Sequence, residues 1–573
     1  MRKRLWLLAG VVMLASVVTV SGATAKVTNR ATEPSFSLSS ATAGSLPDSL
    51  LRSAIPASRQ AKDTLVFGAE QDINGFNTNL ECCNQFWAVV IGNSAVLRGV
   101  YIITDKLQYI PDLITSAKLT AKPFTITYNI RKDANWSDGK PVSAQDLVWS
   151  WQKIVDPNSQ VSGRDGYDQI TSFKISNKGK TVKFIFKAPY ADWKDLFLPG
   201  SILPKHVLEG EDYNKIWSNC VCNPANGKPI GNGPYLLQSY RKGQDATLVA
   251  NNKWYGPKPK LKKIVFRFIQ DTNSEIQAMR GGEVDAIFPS PQTALTALQH
   301  QSGISYKSGA GLYLEHIDLS GKGNHNKLME QAWFRQAIIT GINRPGLIAT
   351  FFGEIAANLP VLNSLVFYPP DANYTPHFKK YAYNPNKARQ ILTSHGCSPG
   401  GDGIMVCGGT KASILHTTTG TNRRRVAASQ VYKENLKAIG IDIEIRLVPP
   451  NVLFGSGPQG ISSGNFDMAE YAWVTTPDPS FTVPWLGCGK PSNNMTYCNK
   501  KVTKLLDQSD VTLDAKKRAA LFNQANALMA NDVPSIPLYA VPVIMVHKSS
   551  VKGLGTPNPT SLGPTWNAYA WHF

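Results

Sequence analysis

Apolar and polar residues alternate from Phe124 to Ile130 (Phe-Thr-Ile-Thr-Tyr-Asn-Ile), the period-two pattern of a strand with one face buried. The alternation ends before Asp138-Gly139, a dipeptide that favours a tight turn. Ser143 then offers an N-cap, Asp146 three residues on closes a capping box, and Leu147, Trp149 and Trp151 supply apolar surface beyond it. Residues 124–151 therefore predict a strand, a turn and a capped helix. At the N-terminus the pattern differs: Leu5 to Val20 is apolar, Arg2-Lys3-Arg4 precedes it and Ala23-Thr24-Ala25 follows. This predicts a signal peptide over residues 1–25, with an A-x-A cleavage site before Lys26. As a membrane anchor, the alternative, the run is short and ends in small residues. Residues 26–61 are rich in Ser, Ala, Thr and Pro, sustain neither period, and are expected to form a disordered linker. Beyond the N-terminus no apolar run is long enough to span a bilayer.

A chain of 573 residues exceeds the size at which one hydrophobic core stops growing, so two or more lobes are expected. With 42% hydrophobic and 17% charged residues, 45 Gly and 37 Pro, the composition suits a mixed α/β protein with many turns. The net charge is +20, and removing Arg2, Lys3 and Arg4 with the signal leaves +17 on the mature chain. Lys and Arg are spread along the sequence instead of interleaving with aromatics, which argues against nucleic acid as a partner. Arg423-Arg424-Arg425 is the one tight cluster. It stands ahead of an amphipathic helix, Val426 to Ile439, and reads as a solvated helix start; an anchor for an acidic ligand group is its functional alternative. Adsorption to an anionic envelope is a further reading of the overall charge.

Eight cysteines in an exported chain favour disulfides. Cys397 and Cys407 flank Asp402-Gly403 and predict a clip across a hairpin; Cys488 and Cys498 likewise close a loop. Cys82-Cys83 and Cys220-Val-Cys222 remain, and a long-range link between the two pairs is expected. Their C-C and C-x-C spacings lack the knuckles of a structural zinc site. Gly460-Ile-Ser462-Ser-Gly464 spells a nucleophile elbow and Gly455-Ser-Gly457-Pro-Gln-Gly460 a dinucleotide fingerprint, but neither has the strand and helix its chemistry requires. There is no HExxH or Walker A loop, and the nine His are scattered singly. A protein without cofactor, metal or catalytic residues is expected.

The block from Phe124 to Trp151 closely resembles the signature of the extracytoplasmic solute-binding proteins of the peptide/nickel class, family 5, which feed ABC importers. Further landmarks resemble the family in its order. Pro229-Ile-Gly-Asn-Gly-Pro-Tyr235 is similar to its Pro-Ile-Gly-Thr-Gly-Pro-Tyr turn, with Asn232 for Thr. Gln277 to Asp285 resembles its Gly-Glu-Val-Asp step, and Phe334 to Arg344 its helix ending in Asp-Arg, here Asn343-Arg344. Leu436 to Ile445 is similar to its helix, Gly stop and alternating strand. The last third matches through Phe466, Trp473, Pro477-Asp-Pro479, Asn494, Tyr497 and Pro534 to Tyr539. The resemblance covers roughly residues 62 to 555.

It implies an α/β, bilobal periplasmic-binding-protein-like fold (class II, cluster C type) with an extra domain inserted in the first lobe. Lobe I would comprise 62–95, 226–309 and 545–573, the extra domain 96–225, and lobe II 310–544. It further implies the substrate-binding component of an ABC importer, capturing di- or oligopeptides between the lobes and delivering them to permease subunits. Such a protein would be a monomer, exported to the periplasm or the outer face of the cytoplasmic membrane. It would not be a lipoprotein, because the first Cys is Cys82. Alternatives with the same fold are an oligosaccharide, a nickel chelate or another small solute as cargo, or a ligand-presenting sensor subunit. In peptide-binding members a Trp followed shortly by an Asp meets the ligand's α-ammonium. Here the text is Trp473-Val-Thr475-Thr476-Pro477-Asp478-Pro479, with Thr where that Asp falls. Trp473 is read as a ligand wall or as core, and Asp478 as a turn cap ahead of Pro479 more than as a ligand contact. Asn84, Phe86 and Trp87, after the vicinal cysteines, form a second candidate group, read either as a wet pocket or as an amphipathic helix start. Tyr101 is a further candidate. Arg335 and Arg344 are read as structural.

Overall fold

A computed structural model describes residues 63–320, 326–369, 371–455 and 457–573. The expected signal peptide and linker lie outside these residues. Ten strands form one mixed sheet: β1 (Thr64–Ala69), β2 (Tyr235–Arg241), β3 (Asp245–Ala250), β4 (Lys263–Phe268), β5 (Ala286–Ile287), β6 (Ile304–Leu319), β7 (Ser413–Thr419), β8 (Asp442–Val448), β9 (Met468–Val474) and β10 (Ser535–Lys548). Their spatial order is β8-β7-β9-β6-β10-β5-β1-β4-β3-β2. The long antiparallel strands β6 and β10 pair from Ile304↔Lys548 to Asp318↔Ser535 and join the two ends of the sheet. One buried apolar cluster is built mainly from residues 276–546, including Ile317, Phe334, Tyr432 and Trp485. The other gathers residues 65–288 with the C-terminal segment, including Phe67, Trp136, Phe266 and Trp571. Near its end β10 serves both: Ile544 and Val546 enter the first cluster, and the alternate residues Val543 and Met545 enter the second. The architecture is mixed α/β around one large sheet.

The signature block folds as its pattern predicts. Phe124–Ile130 is a strand in a four-stranded antiparallel sheet with Ile114–Ala121, Thr181–Phe186 and Ile170–Ser176. Gly139 takes φ 94°, a conformation open to glycine, and Asp138 Oδ1 accepts the Lys140 amide at 3.0 Å. Helix α1 (Ala144–Val155) begins with the capping box, the Ser143 amide donating to Asp146 Oδ2 at 2.9 Å. The other oxygen of Asp146 accepts the Lys205 amide at 2.9 Å, so one carboxylate fixes both the helix start and the chain returning past it. In the 229–235 turn, Asn232 Oδ1 accepts the Arg98 amide at 2.7 Å. The flanking glycines are needed for close approach: a Cβ on Gly233 would lie 2.5 Å from Ala95 O. Asp285 ends the Gly-Glu-Val-Asp step by accepting the Val66 amide at 2.8 Å and pairing with Lys548 at 2.7 Å, which ties β1 to β10. Arg335 donates to the carbonyls of Asp532 and Met329, and Arg344 to those of Pro537 and Tyr381. Both guanidiniums hold chain segments together from buried positions.

Two of the expected disulfides form. Cys397–Cys407 joins directly opposed residues of a hairpin, and Cys488–Cys498 closes its loop. The long-range link does not form: Cys82 pairs with its neighbour Cys83, and Cys220 with Cys222. The two segments do meet, the Phe76 amide donating to Trp217 O at 2.8 Å. Each is held in its own turn, however. The Cys83 sulfur packs on Gly75, where a Cβ would approach it to 2.8 Å, and Trp217 Nε1 donates to Cys222 O at 2.8 Å.

Backbone oxygens cannot retreat from a new methyl group as a flexible side chain can. Gly233→Ala is therefore expected to lower the free energy of unfolding by at least about 2 kcal/mol, measured by urea denaturation.

Candidate ligand-binding cavity

A cavity of about 830 Å³ opens where β1, the short helix Phe86–Val89, helix α2 (Thr272–Arg280) and the 288–293 segment face β6, β9, β10 and the start of helix α5. Helices α3 (Ala332–Gly341) and α4 (Arg344–Phe352) precede α5 (Arg423–Lys437) in the chain. One wall is aromatic. Phe86 stacks on Phe288 with centroids 5.9 Å apart and meets Tyr313 edge-on at 6.3 Å, and Trp87 packs edge-on against Phe67. The Tyr313 hydroxyl is buried without a hydrogen-bond partner.

The opposite wall is ionic. Asn422 caps α5 by accepting the Arg425 amide at 3.1 Å, which sets Arg423, Arg424 and Arg425 against the cavity. Glu315, fully buried on β6, bonds Arg424 Nη2 at 2.9 Å and Arg425 Nε at 2.5 Å. Arg425 also donates to Thr419 Oγ1 at 3.0 Å, and the Arg424 guanidinium lies over the Phe352 and Tyr539 rings. The expected solvated helix start is thus corrected. Arg424 and Arg425 are only 13% and 11% exposed, because a buried carboxylate opposite them requires cations. Arg423 alone stays exposed, and it makes no ion pair among the described residues.

Burial pushes the Glu315 acid up, but Arg425 and Arg424 outweigh it and hold it down at about 2. Behind it, Glu470 on β9 accepts the Tyr432 hydroxyl at 3.1 Å. Burial, then the negative charge of Glu315, pushes Glu470 up to about 8, so it is largely neutral at pH 7. His416, bonded to Ser429 Oγ at 2.9 Å, is pushed down to about 3 by burial and is neutral as well. On the other side of the cavity, Glu70 accepts Thr272 Oγ1, the Ser290 amide and Ser290 Oγ at 2.5, 2.9 and 2.7 Å. Asp271 caps α2 through Ser274.

Of the residues singled out in the sequence, Phe86 and Trp87 line this cavity. Asn84 is exposed outside it, 3.5 Å from Ser162 Oγ. Strand parity separates Trp473 from the cavity: Ala472, opposite Glu315, faces it, and Trp473 one step along points to the other face, against Tyr471 and Trp485. Thr475 Oγ1 donates to Leu312 O, and Thr476 Oγ1 to Asp478 O. Asp478 caps the turn Pro479–Phe481 and is ion-paired to Arg518. Tyr101 is buried between Tyr109 and Trp193, and burial raises its hydroxyl to about 12. Glu70, Asp271 and Glu315 escaped the sequence reading. The available signal for Glu315 was a carboxylate directly after the apolar run Leu312-Tyr313-Leu314 of β6. Among the described residues no group of three or more His, Cys, Asp or Glu is placed to hold a metal ion, and no helix is long and apolar enough to cross a membrane.

The family model of the bacterial extracellular solute-binding proteins, family 5, matches residues 108–494. The oligopeptide-binding protein AppA of Bacillus subtilis is 25% identical over 444 residues, 76% of this chain and 79% of that protein. Among solved structures, the periplasmic EDTA-binding protein EppA superposes with a TM-score of 0.79 at 24% identity, covering 89% of this chain and 96% of the other. AppA from Bacillus subtilis in complex with a nonapeptide does so with a TM-score of 0.73 at 23% identity, covering 89% and 98%. These superpositions establish the bilobal solute-binding fold.

The two glutamates lead to opposite expectations. The depressed pKa of Glu315 stabilises the fold above its unfolded value near 4.5, a contribution lost as pH falls toward 2. Glu315→Gln leaves two buried cations short of a charge and is expected to destabilise by about 3–5 kcal/mol at pH 7, read by urea unfolding. Glu470 binds its proton more tightly when folded, so it lowers stability as pH rises from about 4.5 to 8. Glu470→Gln is expected to match the wild type at pH 5 and to exceed it at pH 9.

Proposed function

The chain belongs to the bacterial extracellular solute-binding proteins, family 5, and on that premise we propose that it captures peptides in the cavity beside Glu315 and hands them to the permease of an ABC importer. The observation that carries this reading is the cavity itself. Its volume of about 830 Å³ lies in the upper part of the range for enclosed ligands. Its lining sets an aromatic wall against arginines and adds the amides of Gln71, Gln270 and Gln292, groups suited to a chain of peptide units with charged ends. AppA, a relative over three quarters of the chain, is named for oligopeptides. Binding is the whole of the chemistry: no bond is made or broken, and greater affinity for a closed conformation supplies the signal to the permease.

In this proposal lobe I comprises 62–95, 226–309 and 545–573, the extra domain 96–225 and lobe II 310–544. The protein would act as a monomer outside the cytoplasmic membrane without a lipid anchor. Of the residues nominated from sequence, Phe86 and Trp87 are assigned to the ligand. Trp473, Thr475, Thr476, Asp478, Asn84 and Tyr101 are assigned supporting roles, since their side chains are engaged elsewhere. The arginine row favours a second reading, a polycarboxylate or chelate as cargo, and one neighbour in fold is an EDTA-binding protein.

Native mass spectrometry of the protein purified without denaturant, followed by release of what it carries, tests this assignment. A ladder of heterogeneous peptide masses is expected. A single chelate or sugar mass would overturn it.

A further inference from the structure

Each acidic group lining the cavity can be asked what its charge meets. Glu315 meets two arginines. Asp271 accepts the Ser274 amide and hydroxyl as a helix cap, and Arg423 acts on it through space. Glu70 differs. Three neutral donors fix its carboxylate, from Thr272 Oγ1 and from the amide and hydroxyl of Ser290, and no Lys, Arg or His pairs with it among the described residues. It is an oriented anion on the cavity wall whose charge is left uncompensated. Beneath it lies a second carboxyl. Glu275 on α2 is fully buried, and its carboxyl meets that of Glu70. Its carboxyl is directed to Gly68, two residues before Glu70, where a Cβ would meet Oε1 at 2.9 Å. Burial, then the charge of Glu70, pushes Glu275 well above the usual carboxylate range. Glu70 thus carries a charge that no cationic side chain pairs with among the described residues, across the cavity from Arg423.

We propose that Glu70 is the subsite for a protonated amine of the ligand. Thr272 and Ser290 act as positioning residues that hold its carboxylate toward the cavity. Two amines of a peptide have this chemistry, the α-ammonium and a lysine side chain. A purely structural Glu70, pinning the 290 segment to the end of β1, would be indifferent to both. The inference rests on the peptide reading.

The test offers the purified protein a mixed-sequence pool of tri- to pentapeptides and the same pool N-acetylated, with bound masses quantified by native mass spectrometry. The wild type is expected to prefer the free-amino pool at least tenfold if the α-ammonium is the cation. If the lysine amine is the cation, it is expected to prefer lysine-containing members of the acetylated pool to the same degree. In either case Glu70→Gln, which keeps the side-chain shape, is expected to bring the ratio close to one while peptides still bind. Ser290→Ala, which removes a single orienting donor and leaves the charge in place, is expected to lower the ratio at least threefold; it serves also if Glu70→Gln fails to fold. Retention of the full preference in both variants, or no preference in the wild type, would overturn the assignment. Binding of no peptide by the wild type would remove the peptide reading, and this inference with it.

Discussion

Glu315 has no water to turn to. Fixed on a sixteen-residue strand and fully buried, it is tolerable as an anion only because Arg424 and Arg425 reach it from the first turn of α5. That pairing is also a geometric constraint. It fixes the N-terminal turn of α5 against the central strands of the sheet, and so fixes where the exposed Arg423 and the Asn422 cap face the cavity. Glu470, one strand over on β9, completes the balance by staying protonated against Tyr432, so two carboxyls near two guanidiniums do not add up to two anions.

The cavity follows from this arrangement. β6 brings Tyr313 and Glu315 to one face, and β9 brings Ala472 to the same face through its register with Glu315. β10 runs alongside and contributes Val541 and Val543. From the other side Glu70 follows the end of β1, and Phe86 and Trp87 rise from the short helix behind it. An aromatic wall, an arginine row and one uncompensated carboxylate thus enclose a single space. A solute with an apolar body and opposite charges at separate points satisfies all three.

Much of the fold could be read from local pattern. Phe124–Ile130 alternates because one face is buried, and the Ser143–Asp146 cap is complete within four residues. Cys397 and Cys407 stand opposite each other in a hairpin whose turn the sequence displays. The site was less legible because it depends on distant partners. A triple arginine before an amphipathic helix has the appearance of solvent-facing charge until Glu315, more than a hundred residues earlier, is placed across from it. Trp473 was singled out by motif, but a single step of strand parity sends it to the far face of the sheet. Two pairs of cysteines close within their own turns although their segments touch, an outcome decided by packing around Gly75 and Trp217 that spacing does not encode.

Hydrogen exchange with and without a bound peptide pool tests the central claim, that ligand occupies the space between the aromatic wall and the arginine row. The account predicts slowed amide exchange in residues 86–89, 271–274 and 423–427, with residues 474–480 unchanged. Protection confined to 474–480, the segment the sequence motif nominates, would contradict it.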